Sequence, residues 1–168
     1  MIMKRSNELK TGLADHLARL WRYGLVLSGN RKIAEDLVHW TCIRANQTSH
    51  EFALAAKLDK SLFSMLHSIW WNELRSQHAE GQSALNDAKA RERDSPPHPI
   101  LRRLLMLEDM QREAFFLVYV ETLSYREAAA ILEVPIETVM AQLANARERL
   151  ATLAAGSADP TPTQVKSG

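Results

Sequence analysis

Ser124–Leu150 reads SYREAAAILEVPIETVMAQLANARERL, and its punctuation decides the fold. Ser124 followed three residues later by Glu127 is a capping box. The serine oxygen takes an early helical N–H, and the glutamate reaches back to the serine's own N–H. The helix so opened carries Ala128, Ala129 and Leu132. It stops near Val134-Pro135, because proline lacks an N–H and pushes the preceding residue out of helical geometry. A second helix begins at about Glu137, with Val139, Leu143, Ala146, Leu150 and Leu153 at alternating intervals of four and three. Two helices across a short turn, the second the longer, make a helix-turn-helix. The first turns of that second helix enter the DNA major groove, where side chains reach base edges. Val139, Leu143 and Ala146 face inward, leaving Glu137, Thr138, Met140, Ala141, Gln142 and Asn145 outward. Gln142 and Asn145 suit adenine, Thr138 a phosphate or a thymine methyl, and Arg126 the phosphate backbone. A helical hairpin that merely packs is the bland alternative.

Upstream of this motif the apolar spacing is helical throughout. Leu13, Leu17, Leu20, Gly24 and Leu27 recur every three or four residues, and Ser28-Gly29-Asn30 reads as a stop and a turn. Ile33, Leu37 and Trp40 form a second stripe, and Leu62, Met65, Leu66, Ile69 and Trp70 a third. Leu101, Leu104 and Leu105 predict a short helix, and Gln111–Glu121 another. Gln77–Pro99 breaks the pattern, being polar and charged and ending in three prolines, with at most a short helix around Ala84–Arg93. The reading is an all-α chain of two small helical domains. Residues 1–78 form the first, 79–100 a linker, 101–155 the second, and 156–168 a disordered tail.

Composition narrows the function. The chain has 168 residues, 46% hydrophobic and 24% charged, as expected of a folded domain or two rather than a disordered segment. No run approaches a membrane span, and the basic start lacks the apolar stretch of a secretory signal. The single cysteine, Cys42, excludes an internal disulfide and fits a reducing cytoplasm. No Gly-rich phosphate loop is present, which argues against nucleotide enzymes of the common folds. Met1–Asp94 carries 14 Lys/Arg against 11 Asp/Glu, hence +3, whereas Leu101–Ala155 carries 6 against 8, hence −2. Neither half has the basic excess of a protein that grips DNA unaided.

Taken with the helix-turn-helix, Gln111–Leu150 resembles region 4 of extracytoplasmic-function sigma factors. The family pattern there is QRE…L…EGLSYxEAAxxLxxPxGTVxSRLxxARxRL, against QREAFFLVYVETLSYREAAAILEVPIETVMAQLANARERL in this chain. LWRYGLVLSGNRKIAEDLVHWTCIRA resembles regions 2.1–2.2 and LFSMLHSIWWNELRSQ regions 2.3–2.4, so the likeness runs from about Leu13 to Leu153 in the right order.

The resemblance implies a promoter-specificity subunit that binds core RNA polymerase and recognises the −10 and −35 elements. It implies docking of Glu35, Asp36, Leu37, Val38 and Thr41, together with Ala34, on the clamp helices of the β′ subunit, with the β flap as a further contact. An acidic first turn that merely favours the helix dipole is the alternative role for Glu35 and Asp36. His39 and Trp40 replace the family's glutamine and polar residue. Phe63–Gln77 would face the −10 element, with Trp71, Asn72, Arg75 and Gln77 as candidates and Trp70 assigned to the core. Asn46–Leu58 corresponds to the base-capturing loop. Thr138, Met140, Ala141, Gln142 and Asn145, with Arg126, would set the −35 preference. Glu137 stands where the pattern has glycine, and Ala141-Gln142 where it has Ser-Arg.

Other chemistry is thinly supported. His39 and Cys42 share a helix face, but no second ligand pair accompanies them, so no metal or other cofactor is expected. His16, His50, His67, His78 and His98 are scattered, and no residue set carries catalysis. An anti-sigma protein is a further partner that the resemblance allows. The competing function is a sigma-like mimic that sequesters an anti-sigma factor without initiating transcription. An ordinary helix-turn-helix repressor leaves the first half unexplained.

Overall fold

The computed structural model describes residues 16–48, 55–80 and 99–156, and these form helices with no strand among them. The first helix, α1, occupies residues 16–28. It ends at the expected turn, where Gly29 takes φ +66°, a left-handed conformation that costs glycine nothing. Ser28 Oγ donates to the carbonyl of Gly24 at 2.7 Å, and Asn30 Oδ1 accepts from Ile33 N at 2.9 Å, capping α2 (Arg31–Gln47). Gly24 also permits the close crossing of α1 and α2, since a Cβ there would stand 3.2 Å from the Ala34 Cα. The third helix, α3 (Ala55–Glu80), packs along α2.

In the second half, α4 (Pro99–Leu104) starts on a proline, whose missing N–H is no loss in a first turn. Next comes α5 (Asp109–Phe115), which runs into a single π-helical turn, Phe116–Val120, closed by Glu121 N donating to Phe116 O at 3.0 Å. Thr122 then adopts φ 57°, so the chain reverses on a β-branched residue where glycine is the usual occupant. The helix-turn-helix consists of α6 (Tyr125–Leu132) and α7 (Ile136–Gly156). Its capping box is complete: Ser124 Oγ accepts from Glu127 N at 3.3 Å, and Glu127 Oε2 accepts from Ser124 N at 2.9 Å. Glu133 ends α6 in the left-handed region at φ 55°.

The boundaries move slightly from the expected ones. Asn46 and Gln47 belong to α2 and Ala55–Leu58 begin α3, so both ends of the expected Asn46–Leu58 loop are helical, and residues 49–54 lie outside the described residues. At the ends of the linker expected over 79–100, α3 runs to Glu80 and α4 begins at Pro99. Residues 81–98, with the short helix around Ala84–Arg93, and residues 157–168 lie outside the described residues.

The two halves do not stand apart. One apolar core runs through both, from Leu20, Tyr23 and Leu66 to Phe116, Ile131 and Leu143. The α6 helix lies against α3. Tyr23 of α1 is the hinge point of the packing, edge-on to Phe63 at 5.4 Å and stacked on Phe116 at 5.5 Å. Burial and the neighbouring Glu113 carboxylate push the Tyr23 phenol well above its ordinary pKa, so it remains a hydrogen-bond donor at any physiological pH.

Candidate nucleic-acid and polymerase interfaces

The second helix of the motif presents the surface that its periodicity implies. Val139, Leu143 and Ala146 are buried against α5 and α6, which fixes the rotation of α7. Met140, Ala141 and Asn145 are consequently exposed, and Thr138 and Gln142 are half-buried at the edges of the same face. Met140 is 51% exposed, an apolar group suited to a thymine methyl. Asn145 borders a groove of about 490 Å³ with Met106, Gln111 and Arg149, so it marks the limit of the face toward α5. Arg126 is exposed in the first turn of α6.

Both helix N-termini of the motif already hold a carboxylate. Glu127 occupies the first turn of α6, and Glu137 that of α7. Such termini otherwise attract phosphate through their unpaired N–H groups and dipole. Lys60 of α3 adds an ion pair to Glu127. Its hydrogen bond, and then the backbone hydrogen bond from Ser124, hold the Glu127 carboxyl down at about 2.

The first half places its candidates less uniformly. On α2, Glu35 and Asp36 are exposed and Val38 is half-buried. Leu37 and Thr41 face the core instead: Leu37 is buried, and Thr41 is fully enclosed, with its hydroxyl donating to Leu37 O at 2.7 Å. Ala34 is buried too, beneath Gly24. The reason is helical phase, since 34, 37, 41 and 45 form one inward stripe. The exposed face of α2 includes Glu35, Asp36, His39, Trp40 and Ile43. Trp40 is 57% exposed and lies edge-on to His39.

On α3, Trp70 is packed against the core as expected. Trp71 is half-buried, its ring 6.0 Å from that of His67, and Asn72 is exposed, donating to Ser68 Oγ at 3.1 Å. The side chains of Arg75 and Gln77 lie outside the described residues.

Sequence reasoning missed a polar cluster where the halves meet. Glu113 is wholly buried, and its Oε2 accepts from Tyr23 Oη at 3.2 Å and lies 2.9 Å from His67 Nδ1. Glu121, with only 2% of its side chain exposed, takes Arg19 Nε at 2.6 Å and Arg22 Nη2 at 3.4 Å. Arg112 donates to the carbonyls of Leu107 and Leu27, each at 3.2 Å, and so caps the end of α1 from the other half. Apart from Arg112 and Leu107, these contacts join residues about 45 to 100 positions apart, so periodicity offers no signal for them.

Comparison with known proteins fits this architecture. Residues 98–150 match the family described as Sigma-70, region 4, the segment that holds the helix-turn-helix. A curated relative, the ECF RNA polymerase sigma factor EcfG of Rhodopseudomonas palustris (strain TIE-1), is 28% identical over 159 residues, covering 90% of this chain and 87% of the relative. The sigma factor RpoE of Bartonella quintana, solved with the anti-sigma factor NepR, superposes with a TM-score of 0.73 at 28% identity. The match covers 89% of this chain and 98% of that one. Both of these relatives are named sigma factors, and the family match falls on the helix-turn-helix half of this chain. PhyRSL of Sphingomonas sp. Fr1, solved as a complex with NepR, shares the fold of this chain at a TM-score of 0.67 and 23% identity, covering 86% and 87% of the two chains. Among the described residues no helix is long and apolar enough to cross a membrane, and no group of three or more metal-ligating side chains occurs.

Proposed function

We propose that this sigma factor docks core RNA polymerase with the exposed face of α2 and reads two promoter elements with α3 and α7. The observation that carries the reading is the outward face of α7, where Thr138, Met140, Ala141, Gln142 and Asn145 are held in register by the buried Val139–Leu143–Ala146 stripe. These residues set the −35 preference, with Arg126 on phosphate. Trp71, Asn72 and Arg75 hold the −10 element once its bases unstack.

Glu35 and Asp36 contribute charge register at the β′ clamp helices, and Trp40 and Ile43 contribute apolar burial; Leu37 and Thr41 act from beneath by holding the helix in phase. The β flap is a second polymerase contact. The functional units are residues 1–78 for polymerase and −10, 101–155 for −35, with 79–100 as the tether and 156–168 as a tail. The protein works in the cytoplasm, without membrane insertion, cofactor or a catalytic reaction of its own.

An anti-sigma factor is a further partner, in keeping with the Bartonella quintana protein, which was solved bound to one. Both relatives at 28% identity are named sigma factors, and this favours initiation over the sequestering mimic. Binding to purified core polymerase tests the docking face. Asp36→Lys with Glu35→Lys should weaken assembly at least about tenfold while helicity and melting stay unchanged. Unchanged co-elution of that folded variant with polymerase would contradict the assignment.

A further inference from the structure

The outer face of α2 is complementary to itself. Asp36, Trp40 and Arg44 stand four residues apart, so they fall in one row along the helix, and all three are exposed. Trp40 sits at the midpoint of that row, with an anion one turn before it and a cation one turn after it. Ile43, also exposed, widens the apolar centre. Neither Asp36 nor Arg44 has an ion-pair partner among the described residues.

A two-fold axis through Trp40 lays the α2 of a second copy antiparallel on the first. Each residue then meets the one equally far on the other side of Trp40. Asp36 meets Arg44 of the second copy, Arg44 meets Asp36 of the second copy, and the two Trp40 rings meet at the centre. Residues four apart also form the ridge that packs into the matching groove of another helix, at a crossing of about −50°. One turn from such a crossing, arginine still reaches across. An aromatic centre inside a charged rim is the build of a protein interface. The fold itself does not need Trp40, which lies off the inward stripe of Ala34, Leu37, Thr41 and Ala45. Area limits the strength of the contact. One helix face buries less than the about 800 Å² per partner of a stable complex, so the dissociation constant is on the order of 10 µM.

We infer that two copies of this chain pair antiparallel through α2 about Trp40, and that the pair covers the face assigned above to polymerase docking. The pairing stands on the geometry of α2 alone, and only its consequence rests on the docking reading. Asp36 and Trp40 cannot serve both contacts at once, so pairing and polymerase assembly exclude each other. Chain made in excess of polymerase is then held in a form unable to dock, and dilution or free polymerase releases it by mass action.

Sedimentation equilibrium of the full chain, from about 1 to 200 µM, measures the pairing without polymerase. The average mass should rise from that of one chain toward that of two, and less steeply in high salt. Asp36→Lys alone and Arg44→Glu alone each set like charges opposite one another, and each should weaken pairing about tenfold with helicity unchanged. An equimolar mixture of these two variants should pair, because their charges match across the axis. The double variant Asp36→Lys/Arg44→Glu should pair like the parent chain. Trp40→Gln should abolish pairing. Polymerase added to the paired chain should yield a complex holding one copy. A single-chain mass over the whole range would overturn the inference, as would charge reversals without effect or a mixture that stays unpaired. A complex of polymerase with two copies would overturn the mutual exclusion. Failure of polymerase to bind the chain at all would count against the docking reading instead, since the pairing is measured in its absence.

Discussion

Thr122 holds φ at 57° immediately after Glu121, and its hydroxyl donates to the Glu121 carbonyl at 2.7 Å. A left-handed backbone costs an L-residue roughly 1–2 kcal/mol, and a β-branched one has the least freedom there. The related sigma pattern has glycine at this place. Thr122→Gly should therefore stabilise the chain by about 0.5–1 kcal/mol after the entropy of glycine is deducted, as read by urea unfolding. A loss of stability would mean that the hydroxyl contact outweighs the strain. Trp40 is the opposite kind of residue, large and unsupported by the core. Trp40→Ala should change stability by less than about 0.5 kcal/mol and weaken polymerase binding markedly, because exposed tryptophans at interfaces often carry much of the affinity. Leu37→Asp cannot serve that test. It would put an unpaired charge among Ala34, Thr41 and Ala45 on the inward stripe and unfold the half.

At the scale of elements, α6 depends on its cap and its neighbour. Ser124→Ala should cost about 1 kcal/mol. The Lys60–Glu127 pair adds a pH dependence with a definite sign. The Glu127 carboxyl titrates at about 2 in the folded chain, below its ordinary 4.5. Its contribution is thus complete above about 4.5 and fades as the pH falls toward 2. Lys60→Ala should remove most of that contribution, so its melting temperature should fall below that of the parent at pH 5 and converge with it near pH 2. Added salt should shrink the difference, since the pair is partly exposed. Equal acid profiles for both proteins would show the pair to be energetically silent. On α7, Gln142→Arg restores the sigma pattern and should tighten duplex binding by about 1–3 kcal/mol if guanine or phosphate is in reach. The change in preference should be confined to upstream positions of the promoter.

These elements were the legible part of the chain. Pro135, the Ser124 cap and the four-three spacing of α7 are local signals, and each reappears in the fold within a residue or two. The face of α2 was less legible. Its acidic residues lie at the surface, whereas Leu37 and Thr41, which the resemblance points to as docking residues, are buried by helical phase. The junction was not legible at all. Glu113 and Glu121 read as ordinary charges on a helix, and only the packing of the two halves brings Tyr23, His67, Arg19 and Arg22 to them.

For the molecule as a whole, charge sets the division of labour. The second half carries −2 (6 Lys/Arg against 8 Asp/Glu over Leu101–Ala155), and carboxylates sit at both helix N-termini of its motif. The free chain should therefore bind promoter duplex weakly, with a shallow salt dependence that reflects few neutralised phosphates. The holoenzyme should bind the same duplex specifically. Nanomolar binding by the free protein at physiological salt, in a titration by fluorescence anisotropy, would contradict this. The central claim is that the chain directs initiation, and run-off transcription tests it most directly. Purified core polymerase, supplied with this protein and fragments of the genome that encodes it, should yield discrete transcripts whose starts share upstream and −10 sequences. No transcript above that of core polymerase alone, from a chain that is folded and bound to the enzyme, would contradict it.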